Sequence, residues 1–156
     1  MAMEADLFWT DPNLPLPASV AECFQGLPDR IRLPEGTEIY RLRTNRQEAV
    51  GSNIWESPWW FPKNTFNQIV GRASRTGMSV TISARSGLAV PSSFNPDFNN
   101  LVIMSVSRSG FAWAGKTAPQ KWSETFQVQL SGGLVQWWIP GLEQIDLRYK
   151  FFGWPD

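Results

Sequence analysis

Alternation of apolar and polar residues is the clearest regularity in this chain. Residues 125–130 (Thr-Phe-Gln-Val-Gln-Leu) alternate one by one. Residues 144–151 do so again, with Ile145, Leu147, Tyr149 and Phe151 on one side. A period of two predicts half-buried strands. It also marks residues 37–44, where Ile39, Arg41 and Arg43 share one face and Tyr40 and Leu42 the other. Residues 78–83 follow it too, with Val80 and Ile82 set against Ser79, Thr81 and Ser83. Residues 101–107 are nearly continuously apolar and predict a central strand, and a short strand follows at 111–114. Two stretches have helical spacing instead. Residues 19–27 begin with a capping box, Ser19 and Glu22, and gather Val20, Cys23, Phe24 and Leu27 on one face. Residues 64–75 begin at Asn64, align Phe66, Ile69, Val70 and Ala73, and stop before Gly77.

Between these elements, Pro28 and Leu33-Pro-Glu-Gly36 predict turns. Pro58 and Pro62 make residues 55–61 (Trp-Glu-Ser-Pro-Trp-Trp-Phe) an irregular aromatic loop. The expected fold is α+β: a small mixed domain of two packed, mostly antiparallel sheets with two short helices in the N-terminal half. At 156 residues it is read as a single domain, 1–156, with residues 1–17 as an acidic, proline-rich arm. No apolar run is long enough for a membrane span, and no signal-peptide pattern opens the chain.

Composition narrows the chemistry. The chain has no histidine and one cysteine, so neither a histidine-based triad nor a Cys/His metal site can be built. Cys23 lies on the apolar helix face and reads as core. Catalysis would have to come from carboxylates, amides, hydroxyls, arginine or lysine. Net charge is zero but unevenly spread. Residues 1–38 hold seven acids and two bases, and residues 39–121 hold ten bases and three acids. A basic middle between acidic ends suits an anionic small ligand. Arg41 and Arg43 beside Ile39 on one strand face suit an anion pocket, because guanidinium forks bind phosphate oxygens in pairs, or else an edge strand with its arginines turned outward. Nine tryptophans supply ligand platforms as well as core.

The other candidate is Ser131-Gly-Gly-Leu-Val-Gln-Trp-Trp-Ile-Pro-Gly141. The glycine pair allows a turn or a close backbone approach to a ligand, and Gln136 places an amide beside Trp137 and Trp138. Three segments in this order resemble the ADP-ribosyltransferase-like superfamily over residues 33–149. They are Leu33-Pro-Glu-Gly-Thr-Glu-Ile-Tyr-Arg41, residues 101–120 with Trp113 and the Gly115-to-Gln120 loop, and Gly132-Gly133-Leu-Val-Gln136. The last is similar to a segment of the tuberculosis necrotizing toxin family of NAD glycohydrolases. Protein-modifying members carry a Gln/Glu-x-Glu pair on the late strand. Here that place reads Gln136-Trp-Trp138, with the next acid at Glu143, and the Ser-Thr-Ser motif is at best Thr81-Ile-Ser83. Both departures favour NAD hydrolysis or an unusual acceptor over ordinary protein modification.

The resemblance implies a bacterial toxin or effector domain that consumes NAD without a metal. Arg41 would clamp the diphosphate, supported by Arg43 or Arg85. Gln136 would contact the ribose or orient water, with Glu143 in reserve. A ring from Trp55, Trp59, Trp60 or Trp137 would stack on nicotinamide, and Ser83 would touch the ribose or amide. It further implies an immunity or antitoxin protein as partner, and action in a target cell's cytoplasm after delivery from the producer. No membrane partner is expected, and nucleic acid would enter only as an acceptor. The competing expectation is a non-catalytic, tryptophan-rich module for a glycan or protein, displaying Trp59, Trp60, Trp137 and Trp138. A degenerate relative that keeps only the fold is a third.

Overall fold

The computed structural model describes residue 11 and residues 13–43, 58–89, 100–121 and 129–153. In chain order the elements are α1 (Ala18–Ala21), β1 (Asp29–Leu33), β2 (Glu38–Arg43), β3 (Trp59–Trp60), α2 (Lys63–Thr76) and α3 (Val80–Gly87). There follow β4 (Asn100–Val106), β5 (Gly110–Lys116), β6 (Gln120–Lys121), β7 (Gln129–Leu130), β8 (Val135–Trp138), a 3-10 turn (Gln144–Asp146) and β9 (Leu147–Gly153). One sheet has the order β1-β5-β8-β3, a second β2-β4-β9, and β6-β7 form a separate ribbon. Every pairing among the described residues is antiparallel. The protein is thus an α+β domain of two packed antiparallel sheets, with three α-helices among the described residues.

Two apolar layers hold the described residues together. Between the sheets, Leu33, Ala112, Trp60 and Ile139 meet Ile39, Val102, Met104, Val106 and Leu147, with Ile31 and Trp137 at the margin. On the far side of β2 and β4, Tyr40, Leu42 and Leu101 pack against Ile69, Ala73, Val80, Ala84 and Leu88 of the helices. The strand period explains the division: in β2, Ile39 faces the other sheet while Tyr40 and Leu42 face α2 and α3. A backbone bridge ties the sheets to each other. The Tyr40 N–H donates to the Phe61 carbonyl at 2.9 Å, and the Phe61 N–H donates back at 2.8 Å. Pro62 then starts α2, and Gly77 ends it in the left-handed region at φ +75°.

Several sequence expectations are corrected. Residues 78–83 are not a strand. The Ser79 hydroxyl accepts from the Ile82 N–H at 3.1 Å and caps α3. Val80, Ala84 and Leu88, four apart, bury one helical face, while Ile82 is 50% exposed. The helix expected over 19–27 ends at Ala21, after which Phe24 bridges Thr117. The turn region before Leu33 contains β1, and the aromatic loop contains β3. In the last strand only Leu147 of its expected apolar face is buried. Ile145 sits in the 3-10 turn, and Tyr149 is 59% exposed. Lys150 is an extra residue in the ladder, since Tyr149 pairs with Met104 and Phe151 with Ile103. Of the strand expected over 125–130, residues 129–130 are described.

Candidate functional site

β2 carries Arg41 into the layer between the sheets. Its side chain is largely buried, and its central guanidinium carbon lies 4.3 Å from the ring centroid of Trp60, a cation–π pair. Trp60 is itself 1% exposed. It lies directly opposite Trp137 in the β3–β8 pairing, so the two indoles share the inter-sheet face. Trp137 in turn lines a cleft of about 560 Å³, together with Thr37 and Glu38 at the start of β2, Pro62, Lys63 and Asn64 at the start of α2, and Lys150 of β9. The cleft joins one carboxylate, two lysines and an aromatic ring to a helix N-terminus that has no acidic residue in its first turn. Such an end has unpaired N–H groups and a partial positive charge. Glu38 accepts from the Tyr40 hydroxyl at 3.3 Å. Burial, and secondarily the Glu38 charge, push that hydroxyl above its ordinary value.

Arg41, Trp60 and Trp137 therefore lie together. Gln136 does not join them. Adjacent residues of a strand point to opposite faces, and β8 is a strand through Gln136, opposite Gly115. Gln136 faces outward, where its Nε2 donates to the Cys23 carbonyl at 3.2 Å, an oxygen that also accepts from the Ala118 N–H at 2.9 Å. The expected Arg41–Gln136 convergence on one cleft is corrected by this register: the amide ties down the N-terminal segment.

Ser83 is fully buried, and its hydroxyl donates to the Ile69 carbonyl at 2.9 Å, joining α3 to α2 rather than meeting a ligand. Glu143 sits in the turn before β9. There its N–H donates to Asp146 Oδ2 at 3.0 Å, and buried Asp146 also pairs with Arg108 at 2.5 Å. Arg85 is buried on α3, and desolvation pushes its guanidinium below the ordinary value. Arg43 belongs to β2 opposite Asn100, with its side chain outside the described residues, as is the whole of Trp55. Trp60 cannot stack on nicotinamide through the face that Arg41 covers. Trp59 and Trp138 pack with each other, centroids 6.5 Å apart, and Phe24 packs on Trp59 at 5.7 Å.

The glycine pair also has a structural use. Gly132 and Gly133 both have positive φ, +65° and +96°. The Gly132 N–H donates to the Ser86 carbonyl at 2.9 Å, and the Gly133 N–H to the Thr117 carbonyl at 3.0 Å. The loop thus seals the end of α3 against the end of β5. Sequence reasoning missed the cleft residues Glu38, Lys63 and Lys150. Placing the α2 start at Asn64 instead of after Pro62 hid Lys63 in the preceding loop. On the outer face of β1, Arg30 lies over the rings of Phe111 and Trp113 at 5.5 and 4.9 Å and donates to the Asp11 carbonyl.

No family model and no curated protein matches the chain. Two solved structures share its fold. Tne2, in its complex with Tni2, aligns with TM-score 0.60 and 13% identity over 85% of this chain and 96% of that one. Rhs1-CT, in complex with its cognate immunity protein RhsI1, aligns with TM-score 0.53 and 20% identity, covering 80% and 77%. At these identities the likeness is one of fold.

Proposed function

We propose that this chain is a bacterial toxin or effector domain that consumes NAD, opposed in its producing cell by an immunity protein. The reading is carried by one observation: a desolvated arginine stacked on a tryptophan, beside a cleft walled by a second tryptophan, in a fold shared with a protein solved with its immunity partner. The sequence resemblance to ADP-ribosyltransferase-like domains supports the same substrate.

In this reaction the bond between ribose C1′ and the nicotinamide nitrogen breaks, and its electron pair leaves with nicotinamide, neutralising the pyridinium. The ribose passes through an oxocarbenium-like state, water adds at C1′, and one proton is released. Arg41, buried on Trp60 next to the cleft-lining Trp137, is the guanidinium that would meet the diphosphate. Lys63, Lys150 and the α2 N-terminus give the cleft its attraction for anionic oxygens. Trp137 offers a ring face to a flat heterocycle. Glu38 places negative charge in the same cleft, where positive charge develops on the sugar. Water is the acceptor that the missing late-strand acid favours. The binding-module alternative needs tryptophans on display, and Trp60 and Trp138 are buried.

The test is nicotinamide release from NAD by the purified chain, followed by chromatography. Arg41→Ala should raise KM by about 10- to 100-fold, the loss of charge-assisted hydrogen bonds. A folded wild-type chain that releases no nicotinamide refutes the reading.

A further inference from the structure

Six large apolar side chains are exposed among the described residues, and three of them, Ile145, Tyr149 and Phe151, fall within positions 145–151. That run enters β9, an edge strand that pairs with β4 and with no other strand among the described residues. Tyr149 stands opposite Met104 of the inter-sheet core, and Phe151 opposite Ile103, which packs on the helix side. Directly opposed residues share a face, so the two rings flank the open edge from either side. The Phe151 ring lies over Gly153, where a Cβ would stand 3.0 Å from it, so its place is set before anything binds. Arg148 precedes Tyr149, and the bulged Lys150 separates the two rings. Both cations are exposed, and neither pairs with a carboxylate among the described residues. Asp146, the acid within this run, is buried and paired with Arg108.

We infer that this edge, from Ile145 to Phe151, is the docking surface for an acidic protein, the immunity partner proposed above. Aromatic rings beside an arginine are the side chains that carry most binding energy in protein interfaces, and unpaired cations are complementary to carboxylates. A second copy of this chain fits poorly. Antiparallel pairing of two β9 edges would crowd Arg148 and Lys150 of one copy against the same residues of the other. The bulge and the two cations also guard the edge against open-ended strand addition, so the occupant grips side chains rather than extending the ladder. Lys150 belongs to the cleft wall as well, so a protein seated on this edge reaches the site it opposes. The inference rests on the proposed immunity partner and is independent of the NAD chemistry.

The experiment selects genomic fragments of the producing cell for rescue of a host that expresses the chain, and purifies the rescuing protein. Its association and dissociation rates are then measured by surface plasmon resonance on wild type, Tyr149→Ala, Phe151→Ala and Arg148→Glu, each first shown folded by circular dichroism. Ile82→Ala, at an exposed position of α3, is the control. Tyr149→Ala and Phe151→Ala should each weaken binding about 10- to 30-fold. Arg148→Glu should slow association about 10-fold at low salt and flatten its salt dependence. Ile82→Ala should bind as wild type does. A rescuing protein that binds all three β9 variants as tightly as wild type overturns the inference and leaves the immunity reading standing. So does a rescuing protein without net negative charge, or a wild-type chain that sediments alone as a dimer dissolved by Tyr149→Ala. A host that the chain does not harm, or the recovery of no rescuing fragment, overturns the inference and the immunity reading together, and nicotinamide release tests the chemistry separately.

Discussion

Replacing Gly132 by alanine tests whether the glycine pair is a structural latch. Gly132 has φ +65°, and a Cβ there would sit 2.6 Å from the Thr117 carbonyl oxygen, 2.9 Å from Thr117 Oγ1 and 3.0 Å from the Ala118 carbonyl. Two of these three atoms are backbone and cannot swing aside. Thr117 is itself fixed: it is buried, its hydroxyl donates to the Gly87 carbonyl at 2.9 Å, and its N–H donates to the Leu134 carbonyl at 2.9 Å. An alanine in the left-handed region costs roughly 1–2 kcal/mol. Displacing the loop then breaks the Gly132–Ser86 and Gly133–Thr117 hydrogen bonds, about 1 kcal/mol each. The sum is about 3–4 kcal/mol, a large part of the stability of a domain this size. Gly36→Ala is the control. Gly36 has φ +88°, and a methyl group there would meet nothing within 4 Å, so it bears the conformational cost alone. Equilibrium urea unfolding followed by tryptophan fluorescence measures both. With a slope of about 2 kcal/mol/M, Gly132→Ala should lower the midpoint by ~1.5–2 M, and Gly36→Ala by ~0.5–1 M, half of that or less. Equal shifts for the two would refute the latch and return the glycine pair to the ligand-approach role expected from sequence.

The contacts around the site give four more tests. Gln136→Ala should cost about 1 kcal/mol in the same unfolding assay and leave nicotinamide release unchanged; lost turnover with retained fold would restore Gln136 to the mechanism. Ser83→Ala should cost about 1 kcal/mol with KM for NAD unaltered, since its hydroxyl is committed to Ile69, and a raised KM would contradict that. Asp146→Ala should lose about 2 kcal/mol, because it strands the Glu143 N–H and one side of Arg108, which is 40% exposed and partly screened. A double-mutant cycle with Arg108→Ala that shows no coupling would contradict the pairing. Burial, with help from Glu38 and Glu22, raises the Tyr40 hydroxyl and the Cys23 thiol above their ordinary values of 10.0 and 9.0. The fold favours the neutral form of each. Their contribution is whole below those values and is lost as pH rises through them toward the raised folded values. Unfolding midpoints from about pH 8 upward should decline, and the Tyr40→Phe, Cys23→Ala double variant should flatten that decline.

Much of the framework is legible in the sequence because single strands and one long helix carry their own periodicity. β2, β4 and α2 lie within a residue or two of their expected bounds. α3 reads as a strand because eight residues hold too few turns to separate a period of two from one of 3.6. Its cap at Ser79 and its packing against α2 decide the matter, and only the second of these is tertiary. β1 escapes notice because Arg30 and Arg32 alternate with Ile31 and Leu33 in a run short enough to read as a turn. The site is half legible. Arg41 follows from a charged residue on an apolar strand face. Gln136 and Trp137 go together only if their segment is a loop, and a strand cannot aim two successive side chains at one cleft. The Glu38, Lys63 and Lys150 cluster joins segments far apart in sequence, and no local pattern announces that.

The interleaving of the strands has a consequence for how the molecule comes into being. β1 finds its partner in β5, β2 in β4, and the central β4 must wait for β9 near the far end of the chain. The β1-β5-β8-β3 sheet cannot be completed before β8 is made, nor the β2-β4-β9 sheet before β9. Until β9 is made, the edge of β4 that it covers stays open, so the layer between the sheets closes late in the order of synthesis.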